Sequence, residues 1–137
     1  MKNNHTWVIC AYGESEFLED CILSLQAQTL PSKIICYSST PLDSIKQLCQ
    51  KYGIPFYTKE GGGIGKDWNN ALSFVETAYT TIAHQDDYYE PTYLEAVMQK
   101  IEQSKDILIA YTDYFEEKNG VKIPANTNLK IKTLMLK

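Results

Sequence analysis

The stretch Ile82–Pro91, IAHQDDYYEP, carries the end of a strand, a reversal and a helix start. Thr80–Ala83, which runs into it, is a short β-branched run, the mark of a buried strand. That run stops at His84, Gln85, Asp86 and Asp87, and after Pro91 a helical pattern begins at once. Two adjacent carboxylates at the end of a covered strand repel each other and lose hydration. Such a pair needs a cation, a set of donors or open water. In open α/β sheets, that strand end is where ligands bind. A polar turn that caps the next helix, with Glu90 and Pro91 opening it, is the plainer reading of the same spacing.

Working outward, apolar runs alternate with helical patterns. Trp7–Ala11, WVICA, reads as a buried parallel strand. Tyr12–Ser15 breaks it. Ser15 then caps a helix with Phe17, Leu18, Cys21, Ile22 and Leu25 on its apolar face. Lys33–Tyr37 is a second strand. Thr40, Pro41 and Asp43 open a helix bearing Ile45, Leu48, Cys49 and Tyr52, which Gly53 and Pro55 end. Pro55–Thr58 is a short third strand. A glycine-rich loop follows, then a helix with Trp68, Ala71, Leu72 and Val75 facing inward. The strand Thr80–Ala83 and its acidic turn lead to a helix over Pro91–Gln103, with Leu94, Val97, Met98 and Ile101 on its face. Ile107–Thr112 reads as a fifth strand, and Glu116–Gly120 as a hairpin turn into Val121–Ile123. Four strand–helix alternations predict an α/β fold, a parallel or mixed sheet with helices on both faces.

The chain has 137 residues, 44% hydrophobic and 22% charged, enough for one domain with a core. A net charge of −4 argues against a nucleic-acid groove. All 13 basic residues are lysines. Bidentate guanidinium recognition of phosphate is therefore outside this sequence's means, leaving backbone N–H groups, lysine or a metal ion. Cys10, Cys21, Cys36 and Cys49 show no CxxC spacing and sit on apolar positions, so they read as reduced core residues of a cytoplasmic protein. No apolar run is long enough to span a bilayer.

Gly61, Gly62, Gly63 and Gly65 crowd one loop, whose backbone is either mobile or approaches something closely. A P-loop would need glycine at Glu60 and a hydroxyl at Asp67; a dinucleotide fingerprint would need glycine at Lys66. Neither pattern is met. What survives is a flexible backbone at the head of a helix, with N–H groups and Lys66 able to attract phosphate.

Three segments in order carry a resemblance. VICAYGESEFLEDCILSLQAQTL places Ala11-Tyr12-Gly13 at a strand end, followed by Leu18, Cys21, Ser24-Leu25 and Gln28-Thr29. GGGIGKDWNNAL and HQDDYYEP come later. Together, over roughly Trp7 to Gly120, they resemble family 2 glycosyltransferases of the GT-A fold, with their Gly-Gly…Asn loop and D-x-D-D-Y-x-x-P segment. The resemblance implies a Rossmann-like, mostly parallel twisted sheet and a nucleotide-sugar donor site. Ala11, Tyr12 and Glu14 at the first strand end, with Ser38 and Ser39 at the second, would hold base and ribose. Gly65, Lys66 and Asp67 would lie over the nucleotide. Gln85 and Asp86 would face the diphosphate, through Mg²⁺ or Mn²⁺ on Asp86 and Asp87, with His84 a further candidate ligand.

The sequence departs from that pattern at four places. His84 stands for the first D-x-D aspartate. Ser38 and Ser39 replace the aspartate that reads the base, which weakens the implied uridine preference. Trp68 replaces an arginine, and a core position is the simpler reading of it. The catalytic base of inverting members lies in a segment beyond the fifth strand, and Asp113 in Tyr-Thr-Asp-Tyr fits a strand-end turn as well as that role. The expectation is one GT-A domain over 1–137 that stops short of the acceptor region, its apolar run Leu134–Leu136 unfinished and its base past the chain end. It would be the donor-binding half of an inverting, metal-dependent glycosyltransferase. The implied donor is a UDP-sugar and the acceptor a glycan or lipid-linked glycan. It would work from the cytoplasmic side, at the inner face of the membrane. A non-catalytic nucleotide or sugar binding module is the alternative. A sugar nucleotidyltransferase ranks lower, because Tyr12–Ser15 lacks that class's glycine-rich first turn.

Overall fold

A computed structural model describes residues 4–104, 106–107, 109–112 and 114–124. Asp113 and Leu134–Leu136 lie outside the described residues. The chain divides into two compact units, Met1–Ala96 and Val97–Lys137.

The first unit is built on a parallel sheet in the order β3-β2-β1-β4. Its strands are β1 (His5–Ala11), β2 (Lys33–Ser38), β3 (Phe56–Tyr57) and β4 (Tyr79–His84). Helix α1 (Leu18–Gln26) joins β1 to β2, α2 (Asp43–Lys51) joins β2 to β3, and α3 (Ile64–Leu72) joins β3 to β4. Strand β1 is central: Val8 pairs with Ile35 on one side and Ile82 on the other. That position explains why WVICA is an unbroken apolar run rather than an alternating one, since both of its faces are covered.

Side-chain alternation sorts the core into two layers. Val8, Ile35 and Tyr37 pack with Ala71 of α3, with Phe74, Val75 and Ile82 around them. On the opposite face, Trp7 meets Tyr89 and Tyr93 at ring-centroid distances of 4.7 and 5.6 Å, and Cys36 and Cys49 of α2 are both buried. Leu18, Cys21, Ile22 and Leu25 form the buried stripe of α1. Each large apolar side chain so enclosed contributes about 1.5–3 kcal/mol relative to exposure. All four cysteines are free thiols; Cys21, Cys36 and Cys49 are buried and Cys10 is partly so.

At the amino end of β1, His5 is buried with both ring nitrogens engaged. Ser32 Oγ donates to the His5 carbonyl at 2.7 Å, so the contact from His5 Nδ1 to Ser32 Oγ, 2.8 Å, uses the ring's own proton. Nε2 then accepts from Thr81 Oγ1 at 2.8 Å. The imidazole is neutral, and burial lowers its pKa to about 4.

Helix α4 (Tyr93–Glu102) begins in the first unit and runs into the second. The second unit also contains a hairpin, β5 (Phe115–Lys118) and β6 (Val121–Pro124), antiparallel. Asn119 and Gly120 both have positive φ, 54° and 80°, the geometry of a two-residue primed turn. The expected strand over Ile107–Thr112 is not formed among its described residues. Ile109 is 78% exposed and Tyr111 41%. An apolar run becomes a strand only when another strand accepts its hydrogen bonds, and no pairing involves these residues.

Candidate functional site

The strand order sets where a site can lie. From β1 the chain moves out to β2 and β3, then returns through α3 to β4 on the other side of β1. Strand order thus reverses at β1, and in open α/β sheets ligands bind at the carboxyl ends of strands beside such a reversal. Cys10 pairs with His84, so Ala11–Ser15 and Gln85–Asp87 emerge side by side.

These two turns are bonded to each other. Gln85 Nε2 donates to the Tyr12 carbonyl at 2.7 Å. Ser15 Oγ donates to Asp86 Oδ1 at 2.6 Å, while accepting from the Phe17 N–H at 3.1 Å. Ser15, expected to cap α1, does not: the N-cap position is Phe17 and carries no side-chain cap, so Ser15 instead braces the turn before the helix and steadies a carboxylate. Phe17, expected inward, is half exposed, because α1 starts only at Leu18. The Asp87 N–H closes a tight turn onto the His84 carbonyl at 3.0 Å. Beneath it, the Cys21 thiol donates to the same carbonyl at 3.5 Å. Burial, then the nearby charges of Asp87 and Asp86, push that thiol up to about 12.

The far side of the acidic turn is clamped by Gln28, which is buried. Its Nε2 donates to the Glu90 carbonyl at 2.8 Å and to the Ser24 carbonyl at 3.2 Å, and its Oε1 accepts from the Leu94 N–H at 3.0 Å. The Tyr89 N–H donates to Ser24 Oγ at 3.1 Å, and the Thr29 N–H to the Pro91 carbonyl at 2.8 Å. Ser24, Gln28 and Thr29 stood in the sequence motif without a role. Their role is to hold Tyr89–Leu94 against the end of α1.

Beside these turns lies an open cleft of about 520 Å³, lined by Tyr12, Ser39, Thr40, Gly61–Ile64 and Asp67. Small-molecule sites span roughly 300–1,000 Å³, so the space suits a nucleotide-sized ligand. Tyr12, 68% exposed, stands at its mouth. The Gly13 N–H donates to Thr40 Oγ1 at 2.8 Å, joining the first strand end to the second. Asp67 Oδ2 accepts from Ser39 Oγ at 3.2 Å, and Oδ1 accepts from Tyr37 OH at 3.4 Å. Tyr37 is itself held by Asn70 Nδ2 at 3.0 Å. Thr40, Tyr37 and Asn70 were not singled out from the sequence; only the register of α3 against β2 brings them here. The glycines have a spatial reason: a Cβ on Gly61 would lie 2.8 Å from Ser39 Cβ and 3.2 Å from Asp67 Oδ1.

The remaining expected residues are placed as follows. Ala11 is buried, and Ser38 is fully buried, its hydroxyl engaged with the N–H, carbonyl and Oγ1 of Thr40. Glu14 is exposed and accepts from Ser44 Oγ at 3.4 Å. Gly65 is exposed within the first turn of α3. The Lys66 stem folds over Gly62, where an added Cβ would lie 2.7 Å from Lys66 Cδ. Asp86, Asp87 and His84 are exposed. Trp68 is not a core residue: it is 37% exposed, with its ring 5.6 Å from that of His84. Leu72, also expected inward, is 38% exposed, whereas Ala71 and Val75 face the core as expected. The helix begins inside the glycine run, at Ile64. Among the described residues no three His, Cys, Asp or Glu side chains converge to hold a metal ion. Protein ligands in the acidic turn would therefore have to be completed from elsewhere.

Comparison with known proteins places this geometry among relatives. The profile of the family described as Glycosyl transferase family 2 matches residues 6–136. "Glycosyltransferase GlyA" of Streptococcus pneumoniae is 24% identical over 123 residues, covering 85% of this chain and 18% of that protein. The crystal structure of S. aureus TarS superposes with a TM-score of 0.66 at 19% identity, over 82% of this chain and 24% of TarS. The mannosyltransferase PcManGT from Pyrobaculum calidifontis, solved with GDP-Man and Mn²⁺, gives a TM-score of 0.62 at 14% identity, over 72% and 32%. The chain thus spans about a fifth to a third of these relatives' lengths. The parallel sheet with its helical layers is the GT-A fold. No helix among the described residues is long and apolar enough to cross a membrane.

Proposed function

The chain belongs to glycosyl transferase family 2, and from that premise we propose that it is the donor-binding part of a glycosyltransferase. The donor is a nucleotide-diphosphate sugar, and the acceptor a cell-surface glycan or lipid-linked glycan reached from the cytoplasmic side. The transfer inverts the anomeric centre.

One observation carries this reading. A nucleotide-sized cleft and an acidic turn sit side by side at the carboxyl ends of β1, β2 and β4, joined by the bonds from Gln85 to Tyr12 and from Ser15 to Asp86. Base and ribose would occupy the cleft under Tyr12 and the glycine loop. The diphosphate would extend along the loop, near Lys66, toward Asp86.

The exposed pair Asp86 and Asp87 fits a partial ligand set for Mg²⁺ or Mn²⁺; His84, whose ring packs beside Trp68, does not converge with them. Mg²⁺ habitually binds through one or two carboxylates and completes its shell with water and substrate phosphate. When bound, such an ion offsets the charge that builds on a departing diphosphate. Ser15 orients the Asp86 carboxylate for that duty, and Gln28 fixes the chain that follows. PcManGT, of the same fold, was captured with a nucleotide sugar and Mn²⁺.

Titration calorimetry with UDP and GDP, with and without Mn²⁺, tests the reading. Binding should require Mn²⁺ and be lost in Asp86→Ala. Equal binding by both proteins would remove the metal assignment. Binding of neither nucleotide by the wild-type chain would remove the donor site.

A further inference from the structure

We propose that Asp67, carried on α3, is the residue that selects the nucleobase, and that it selects a base presenting a ring N–H beside a carbonyl, as uracil and guanine do. The inference rests on the donor-site reading above and goes further in naming the residue and the edge it reads.

Asp67 lines the cleft of about 520 Å³, together with Tyr12 and the glycine loop. Its two protein donors are distant, Ser39 Oγ at 3.2 Å and Tyr37 OH at 3.4 Å. Two carboxylate oxygens offer about four acceptor positions, so two short bonds remain to be made. The carboxylate is nevertheless fixed in place. Tyr37 is fully buried and held by Asn70, and Asn70 also binds the Glu60 carbonyl at 3.2 Å. Gly61 passes close by: a Cβ added there would lie 2.8 Å from Ser39 Cβ and 3.2 Å from Asp67 Oδ1, so a side chain would crowd both.

A pinned carboxylate in a cleft accepts N–H groups and repels lone pairs. Uracil presents N3–H between two carbonyls; guanine presents N1–H and its amino group beside O6. Either base gives the carboxylate a donor, and the Ser39 hydroxyl can turn from Asp67 to donate to the neighbouring carbonyl. Cytosine and adenine present a bare ring nitrogen at the same place, whose lone pair meets the negative oxygens. Ser39 stands at the second strand end, and a hydroxyl there cannot supply this charge. Asp67 brings it from the opposite wall.

The test is calorimetry of UDP, GDP, CDP and ADP with saturating Mn²⁺ on the wild-type chain, Asp67→Asn and Ser39→Ala, with far-UV circular dichroism as a check of folding. The wild type should favour UDP or GDP over CDP and ADP by tenfold or more, the scale of one hydrogen bond to a charged group. Asp67→Asn keeps the shape but adds a donor. It should lose that preference, with CDP or ADP binding held or improved. The UDP and GDP arms show which of the two bases the cleft takes. Uniform weakening of all four by Asp67→Asn would overturn the inference, since a purely structural Asp67 behaves that way. Equal wild-type binding of all four would overturn it too, while leaving the donor site standing. No binding of any would instead remove the donor-site reading itself, and the inference with it. Should Asp67→Asn lose its helical signal, Ser39→Ala decides. The preference should narrow as UDP or GDP loses one donor, and an unchanged ratio counts against the proposal.

Discussion

Ser15 donates a 2.6 Å hydrogen bond to Asp86 across 71 residues of sequence. It ties the turn after β1 to the turn after β4, where the two neighbouring strands end. Ser15→Ala should leave the far-UV spectrum unchanged, because α1 keeps its buried stripe. It should weaken Mn²⁺-dependent nucleotide binding by roughly tenfold, the worth of one hydrogen bond to a carboxylate. A calorimetric comparison with wild type reads this directly, and unchanged affinity would mean that Asp86 needs no such support.

Gln28 makes three hydrogen bonds from a buried position. Gln28→Leu preserves volume but leaves the Leu94 N–H and the Glu90 carbonyl without that partner. Each orphaned buried group costs about 1–3 kcal/mol. The expected loss is about 2–4 kcal/mol in denaturant unfolding, with faster amide exchange at Tyr89–Leu94. Loss confined to the exchange data, with global stability intact, would mean that this segment unfolds independently.

Gly61→Ala should abolish or strongly reduce nucleotide binding without unfolding the chain. Its new Cβ would sit 2.8 Å from Ser39 Cβ and 2.9 Å from Ser39 Oγ. The collision is with the cleft wall rather than the hydrophobic core. Gly65→Ala is the matched control: a Cβ there meets nothing within 4 Å, and it lies in a helical turn, where alanine is favoured. Equal affinities for the two variants would remove the close-approach role of Gly61.

His5 makes the fold sensitive to acid. Its folded pKa is lowered to about 4 from 6.5, so between those values the unfolded chain binds the extra proton and the folded one does not. Stability therefore rises with pH through this window and is lost as pH falls from about 6.5 to 4, by about 3 kcal/mol. His5→Gln should flatten that part of the stability–pH curve. Denaturant midpoints at pH 7, 5.5 and 4.5 measure it, and an unchanged slope in the variant would point to other groups.

Much of the scaffold was readable because its strands are apolar or β-branched runs; β1 and most of β2 are buried as expected, whereas β4 buries only Ala83. Trp7–Ala11, Lys33–Tyr37 and Thr80–Ala83 fall within observed strands, each extended by one or two residues. Ile107–Thr112 looks just as apolar, yet forms no strand among its described residues, because pairing is a property of neighbours and not of composition. The acidic turn was placed correctly at the end of β4 for the same reason that β4 was found. Trp68 was misread as core although Ala71 and Val75 of the same expected face do meet the sheet; its ring lies at the strand end beside His84 instead, a placement that only packing sets. The company kept by Asp67 was illegible for the same reason. Tyr37 and Ser39 stand at the end of β2 and Asn70 and Asp67 on α3, and only the packing of that helix on that strand decides that they meet.

Gln85 reaches for the backbone of Tyr12 and not for its ring. The latch between the two turns is thus blind to which amino acid occupies position 12, provided a carbonyl is there. Mutational drift can exchange the aromatic ring at the cleft mouth for another side chain, and so try new ligands, while the framework behind it keeps its shape.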